Sequence, residues 1–210
     1  MTPDSGARHD HQVVASDVVY RGRIISVRRD RVTMPGDAVS QRDVVVHPGA
    51  VGVIALDDQG RVLLVQQYRH PVRRRLEELP AGLLDHPGEP ALAAAQRELM
   101  EEAGLAADTW HVLVDTFTSP GMSDEAIRVF LARDVRAVER DVQEHEEAEM
   151  TTEWADLDLT VRRVLAGEIE NAMCAVGVLA ADRARRDGFA SLRPSDAPWP
   201  SQKTSPEPGA

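Results

Sequence analysis

The sequence predicts a mixed α/β domain carried behind a small antiparallel β unit, and three observations predict it. Apolar, β-branched runs fill the first half, one long helical segment interrupts them at mid-chain, and helical spacing takes over in the last third. A chain of 210 residues with 42% hydrophobic content buries a core and has room for one domain plus an appendage.

The elements follow in order. Residues 1–15 are polar and lack apolar periodicity, so they read as a tail. Residues 16–47 carry "VVYRGRIISVRRDRVTM" and "SQRDVVV" with "PGDA" between them as a turn signal, which predicts the antiparallel unit. Residues 48–192 form the main domain. It opens with "AVGVIAL" and "RVLLVQQY", two apolar runs joined by "DDQG" that read as a hairpin. Further strands are expected at Trp110 to Phe117, Ile127 to Ala132 and Met150 to Ala155, then helices over "DLTVRRVLAGEI" and "NAMCAVGVLAADRARRDG", with Gly188 as a stop. Residues 193–210, rich in Pro and Ser, read as a flexible tail that Trp199 could instead dock.

Charge and cysteine content narrow the partners. A formal charge of -11 repels a phosphate polymer, so nucleic acid is a poor partner. The single cysteine, Cys174, cannot form an internal disulfide, and no apolar run is long enough for a signal peptide or a membrane span. A cytoplasmic setting with no membrane partner is expected.

The mid-chain helix is delimited by chemistry. Pro90 suits the first helical position and Gly104 the left-handed residue past the end, so the helix runs from about Pro90 to Ala103. Leu92, Ala95 and Leu99 recur at spacings of three and four and form its buried stripe. On another side Glu98, Glu101 and Glu102 converge at the C-terminal end, where the helix dipole disfavours each carboxylate by roughly 0.3 to 1 kcal/mol. One reading is a solvated acidic surface partly neutralised by Arg97. The sharper reading is a site for a hard divalent cation, which turns mutual repulsion into shared coordination.

The run from Gly82 through Glu89 to "RELMEEAGL" resembles the Nudix box, G-x5-E-x7-R-E-U-x-E-E-x-G-U with U aliphatic, through Arg97, Glu98, Leu99, Glu101, Glu102, Gly104 and Leu105. Six residues, "LLDHPG", separate Gly82 from Glu89 where the usual box has five; the extra one falls in the loop, where insertions are best tolerated. The resemblance covers about Val44 to Trp154 and implies the Nudix α/β/α sandwich. "QQYRH" ahead of "ELPAG", then "TSPGMSDE" with Pro120 beyond the box, resembles the ADP-ribose pyrophosphatase branch, whose enzymes cut ADP-ribose to AMP and ribose 5-phosphate. The rival expectations are a Nudix diphosphatase for another nucleoside diphosphate sugar or a dinucleotide, and a non-catalytic module that senses a nucleotide.

The resemblance implies Mg²⁺ or Mn²⁺ held by Glu98 and Glu102, with Glu101 as a third or outer ligand and the backbone carbonyl of Ala81 as another. Arg97 is expected to orient a glutamate, a surface ion pair being the alternative. The acidic run "QEHEEAEM" is where this branch carries a catalytic glutamate, which makes Glu147 the first choice as base and Glu146 the reserve. Arg69 is a candidate for the phosphates or terminal ribose and Glu78 for the nucleoside, unless the two simply pair with each other. Pro120 and Gly121 are expected on a substrate-lining loop or, more plainly, in a turn. Tyr68 is a core or a binding residue, and no adenine-stacking aromatic is evident beyond a guess at Tyr20. In this branch the N-terminal β unit pairs two chains, so a homodimer is expected.

Overall fold

The computed structural model describes residues 10–139 and 149–202, and the chain divides into two compact units. The first takes in residues 10–48 and Ser119–Glu125. Its sheet has the order β1 (Val13–Arg21), β2 (Ser26–Thr33), β3 (Val39–Val46), all antiparallel. The run "VVYRGRIISVRRDRVTM" is therefore two strands, divided by a turn in which the Gly22 N–H donates to the Ile25 carbonyl at 2.8 Å. β1 begins at Val13, inside the stretch that the sequence reads as tail. Asp30, 3% exposed, secures the sheet interior by accepting from Ser16 Oγ at 2.6 Å and Arg28 Nε at 3.0 Å. The Ser119–Glu125 segment joins this sheet, because the Val45 N–H donates to the Met122 carbonyl at 2.8 Å and the Asp124 N–H to the Val45 carbonyl at 3.2 Å.

The second unit holds two sheets. Strands β4 (Ala50–Ala55), β5 (Arg61–Arg69), β6 (Arg74–Glu78) and β7 (Ala81–Leu83) precede helix α1 (Ala91–Ala103); β8 (Leu105–Phe117), β9 (Ala126–Ala137), β10 (Thr151–Asp156), α2 (Leu157–Leu165), α3 (Ala172–Arg185) and β11 (Arg193–Pro194) follow. The larger sheet runs β11-β8-β9-β4-β7, with β4 parallel to β9, and the smaller runs β10-β5-β6. Alternation along β4 sends Val51, Val53 and Ala55 to one face, where Ala91, Ala94, Ala95 and Leu99 of α1 cover them. Ala50 and Ile54 go to the other, under Cys174, Val178 and Ala181 of α3 and Leu157 of α2. Helices on both faces of a sheet make this unit an α/β/α sandwich.

The expected hairpin between β4 and β5 does not form. They share one bridge, Leu56 with Val62, then part into different sheets. A strand has two edges, and those of β4 are taken by β9 and β7 while those of β5 are taken by β10 and β6. The Asp57 carboxylate shapes the turn between them, accepting from the N–H groups of Gln59 at 3.0 Å and Arg61 at 2.8 Å.

The C-terminal stretch also differs from the expected tail. β11 pairs with β8, and Trp199 is 9% exposed in the core face beneath α1. The anchor is Arg128 on β9, 3% exposed. Its guanidinium binds both oxygens of Asp115, at 2.7 and 3.0 Å, donates to the carbonyls of Ala197 at 2.7 Å and Pro198 at 3.1 Å, and lies 4.8 Å from the Trp199 ring centroid. Arg193 Nη1 reaches Asp115 at 2.8 Å. Burial works to raise the Asp115 pKa, but the hydrogen bonds and charges of Arg128 and Arg193 outweigh it and hold the group below its ordinary value. A depressed folded pKa contributes stability that is present above the unfolded value, about 3.9, and lost as pH falls through the folded one. Urea midpoints should therefore fall between pH 5 and pH 2.5 on acidification by less in Asp115→Asn than in the parent chain.

Candidate active site

Helix α1 starts one residue later than its sequence suggests. Pro90, with φ -64° and ψ 144°, is the N-cap, and its carbonyl accepts the first helical hydrogen bond from the Ala94 N–H at 3.0 Å. At the other end Gly104 adopts φ 64°, ψ 35°, and its N–H closes on the Met100 carbonyl at 2.9 Å, as the left-handed cap requires. The first turn has no acidic residue and the last turn no basic one, so the carboxylates do crowd the unfavourable end.

Arg97 offsets that crowding. Its Nε and Nη2 donate to the two oxygens of Glu89, each at 3.0 Å, while Nη1 donates to Glu98 at 2.7 Å and Glu101 at 3.0 Å. The Arg97 side chain is 23% exposed, and its guanidinium is pushed above its ordinary pKa, first by the hydrogen bond to Glu89 and then by Glu98 and Glu101 against a lowering by burial. The same pair holds the Glu89 carboxyl below its ordinary value. Glu89 had no role assigned from sequence; the signal for it was only its fixed place in the box, because it lies outside the helix and off any i, i+4 face.

Two of the expected ligands are brought to β7. The Glu102 carboxylate, on a residue 6% exposed, accepts from the Ala81 N–H at 3.0 Å. The Glu98 carboxylate lies over Gly82, where an added Cβ would stand 1.9 Å from Oε1 and 2.0 Å from Cδ. Glycine is thus needed here for space. Carboxylate oxygens such as these are the donors a hard divalent ion takes. Among the described residues no three His, Cys, Asp or Glu side chains stand together as a metal-holding group. Carboxylates alone therefore do not make a cage, and the fit rests on one or two of them with backbone and water oxygens, the usual manner for Mg²⁺.

A cleft of about 640 Å³ lies in the same unit, lined by Gln67, Tyr68, Arg69, His70, Pro71, Arg75 and Glu149. Gln67 and Arg69, two apart on β5, share a face, as the period of a strand requires. Arg69 and Glu78 do pair. Arg69 Nη2 meets Glu78 Oε2 at 2.6 Å and Nε lies 3.0 Å from Oε1, with Gln67 Nε2 adding a bond at 3.3 Å. Tyr68 is 48% exposed and packs edge-on to His70, centroids 6.3 Å apart, so it is not core. Arg75 Nη2 meets Glu149 at 2.7 Å. Pro120 and Gly121 sit in a turn of the first unit, where the Met122 and Ser123 N–H groups donate to the Ser119 carbonyl at 3.0 and 2.9 Å. Tyr20 is 57% exposed on β1. Glu146 and Glu147 lie outside the described residues.

Comparison with known proteins adds to this geometry. Residues 46–172 match the NUDIX domain model, and residues 12–45 match the nucleoside diphosphate sugar hydrolase N-terminal domain. The chain is 50% identical over 199 residues to an ADP-ribose pyrophosphatase of Mycobacterium tuberculosis, covering 95% of this chain and 96% of that one. It is 33% identical over 171 residues to an ADP-ribose pyrophosphatase of Bacillus subtilis, covering 80% and 91%. A solved structure described as an ADP compounds hydrolase superposes with a TM-score of 0.75 at 19% identity, covering 88% of this chain and 99% of that one, which bears on the fold.

Proposed function

The chain belongs to the Nudix family, and on that premise we propose that it is a divalent-metal-dependent hydrolase that cleaves the diphosphate of ADP-ribose into AMP and ribose 5-phosphate. The observation that carries this reading is the seating of Glu98 on Gly82 and Glu102 on Ala81, which sets box carboxylates against a backbone strand in the chain half identical to an ADP-ribose pyrophosphatase. Mg²⁺ or Mn²⁺, held by one or two of Glu98, Glu102 and Glu101 together with the Ala81 carbonyl and water, would supply positive charge against the diphosphate oxygens and acidify water beside them. Arg97 keeps Glu98 and Glu101 aimed through charge-assisted hydrogen bonds. Arg69 in the cleft takes phosphate or ribose, and Pro120 and Gly121 line the substrate.

Glu147 is the proposed general base, with Glu146 in reserve. Glu147→Gln should slow turnover while leaving the thermal midpoint and metal binding unchanged. A wild-type rate in that variant would move the role to Glu146 or to water acidified by the ion alone.

A homodimer built on the N-terminal β unit is part of the proposal. It is supported by the exposed apolar side chains of that unit, among them Val13, Val18, Tyr20, Ile24 and Val39, each about half exposed. A fully active monomer in light scattering would overturn it. A cytoplasmic location is proposed from the single cysteine of the sequence, which cannot form an internal disulfide. Among the described residues no helix is long and apolar enough to cross a membrane.

The second reading, hydrolysis of another nucleoside diphosphate sugar, is favoured by the N-terminal domain match. Product analysis separates the two. ADP-ribose, ADP-glucose, NADH and diadenosine diphosphate are each incubated with Mg²⁺, with Mn²⁺ and with chelator. Metal-dependent AMP and ribose 5-phosphate from ADP-ribose is the expected result, whereas faster turnover of ADP-glucose would favour the second reading. No turnover of any of them, in folded protein, would point to another substrate or to a nucleotide-sensing module.

A further inference from the structure

The residue pair behind the cleft is asymmetric in burial. Glu78 is fully buried at 0% exposure, whereas the Arg69 side chain it binds is 43% exposed and lines the cleft. Both Glu78 oxygens are engaged by Arg69, and Oε2 also accepts from Gln67. A carboxylate so placed lies behind the cleft wall and is not among the residues that line it. From that arrangement we infer that Glu78 is a positioning residue: it contacts no substrate, and it sets the direction in which Arg69 faces the diphosphate-bearing ligand. The inference rests on the proposed function for the nature of that ligand, and it changes the part expected of Glu78 from nucleoside contact to support.

Fixing a long cation in one direction costs conformational freedom. An arginine half in solvent samples many rotamers, and a ligand that needs one of them must offset the lost freedom. Two parallel N–H bonds to a fixed carboxylate remove most of that freedom before the ligand arrives. The register supports the same end. β5 and β6 are antiparallel with Gln67 opposite Leu76 and Val65 opposite Glu78, so Glu78 reaches outward along β5 to both Gln67 and Arg69. The buried charge is also sensed deeper in the core. The Cys174 thiol is pushed up to about 12 by burial and then by the charges of Glu78 and Glu77.

Burial asymmetry predicts an asymmetry of effect. Arg69→Ala deprives a fully buried carboxylate of its main partner and should destabilise the fold, whereas Glu78→Gln leaves a guanidinium that water can solvate. Glu78→Gln is therefore the clean probe, and a mutant cycle with Arg69→Ala decides the mechanism. In the full chain, KM and kcat for ADP-ribose are measured with saturating Mg²⁺, alongside calorimetric Kd values for AMP and inorganic diphosphate. Glu78→Gln is expected to raise KM and Kd by about tenfold with little change in kcat, since a preorganised charge-assisted bond is lost from binding. The double variant should match Arg69→Ala alone, because a residue acting through another has no effect once that other is gone.

Additive effects in the double variant would mean that Glu78 meets the ligand itself and would overturn the inference. So would unchanged KM and Kd in Glu78→Gln. If Arg69→Ala does not fold, Arg69→Gln takes its place in the cycle with the same expectation, because its amide still partners Glu78 while the cation offered to the ligand is gone. A parent chain that hydrolyses no ADP-ribose refutes the proposed function instead, and the cycle is then read on the Kd of inorganic diphosphate, with the same outcomes supporting or overturning the role of Glu78.

Discussion

Replacing Gly82 with alanine is expected to lower kcat for the metal-dependent reaction by about a hundredfold while the protein stays folded, since displacement of a catalytic group by about 1 Å costs that much. The new Cβ would stand 1.9 Å from Glu98 Oε1, 2.0 Å from Cδ and 2.5 Å from Cγ, far inside contact distance. No backbone strain is involved, because Gly82 pairs with Val51 in an ordinary antiparallel register. The atoms in the way belong to the outer half of a flexible side chain, so Glu98 swings off the strand and the fold survives. Arg97 then keeps Glu89 and Glu101 but loses the geometry that ties it to Glu98. The half-saturating concentration of Mg²⁺ should rise in the same variant. A Gly82→Ala protein with parental kcat and metal dependence would show that Glu98 works from elsewhere than its place over β7.

The largest expected loss of stability comes from Arg128→Ala. Truncation leaves the Ala197 and Pro198 carbonyls without their guanidinium donors, removes the cation beneath Trp199, and leaves Asp115 with Arg193 as its remaining arginine. Hydrogen bonds to a charged group contribute about 1.5 to 3 kcal/mol each, so the loss of several together is expected to cost about 3 kcal/mol. Denaturant midpoints at pH 7 measure it. Removing residues 195–210 should give a loss of similar size, and combining the two should add little, because both cut the same set of contacts. Arg128→Met retains most of the buried stem and separates packing from charge. A shift under about 1 kcal/mol in Arg128→Ala would mean that the C-terminal stretch is held by its apolar residues alone.

How far the sequence could be read depended on whether the deciding contact was local. The limits of α1 were legible because Pro90 and Gly104 act within a residue or two of themselves, and the alanine-rich side had one plausible use. The separation of β4 from β5 was not. An unbroken apolar run announces burial on both faces but carries no information about which strand lies alongside. The docked C-terminus was hidden for a related reason: its partner is Arg128, some seventy positions earlier, in the otherwise apolar "AIRVFLA". An arginine inside such a run was the available signal. In the candidate site the helix carboxylates were readable from spacing, and Gly82 only from the resemblance to the box, from whose spacing it departs by one residue. The pairing of Arg69 with Glu78 stood as an open alternative, since an ion pair between strand residues depends on register, which a single sequence does not declare.

Cys174 gives the core a further property. Its thiol lies at 0% exposure at the start of α3, packed in the face formed by Ile54, Leu79 and Val178, and is held protonated by burial and by two nearby carboxylates. Thiolate is the reactive form, so oxidants and alkylating reagents meet an unreactive sulfur while this face stays closed. The chain therefore carries a clock for its own opening: the rate at which the single thiol becomes available reports how often α3 lifts from the sheet, without any label being introduced.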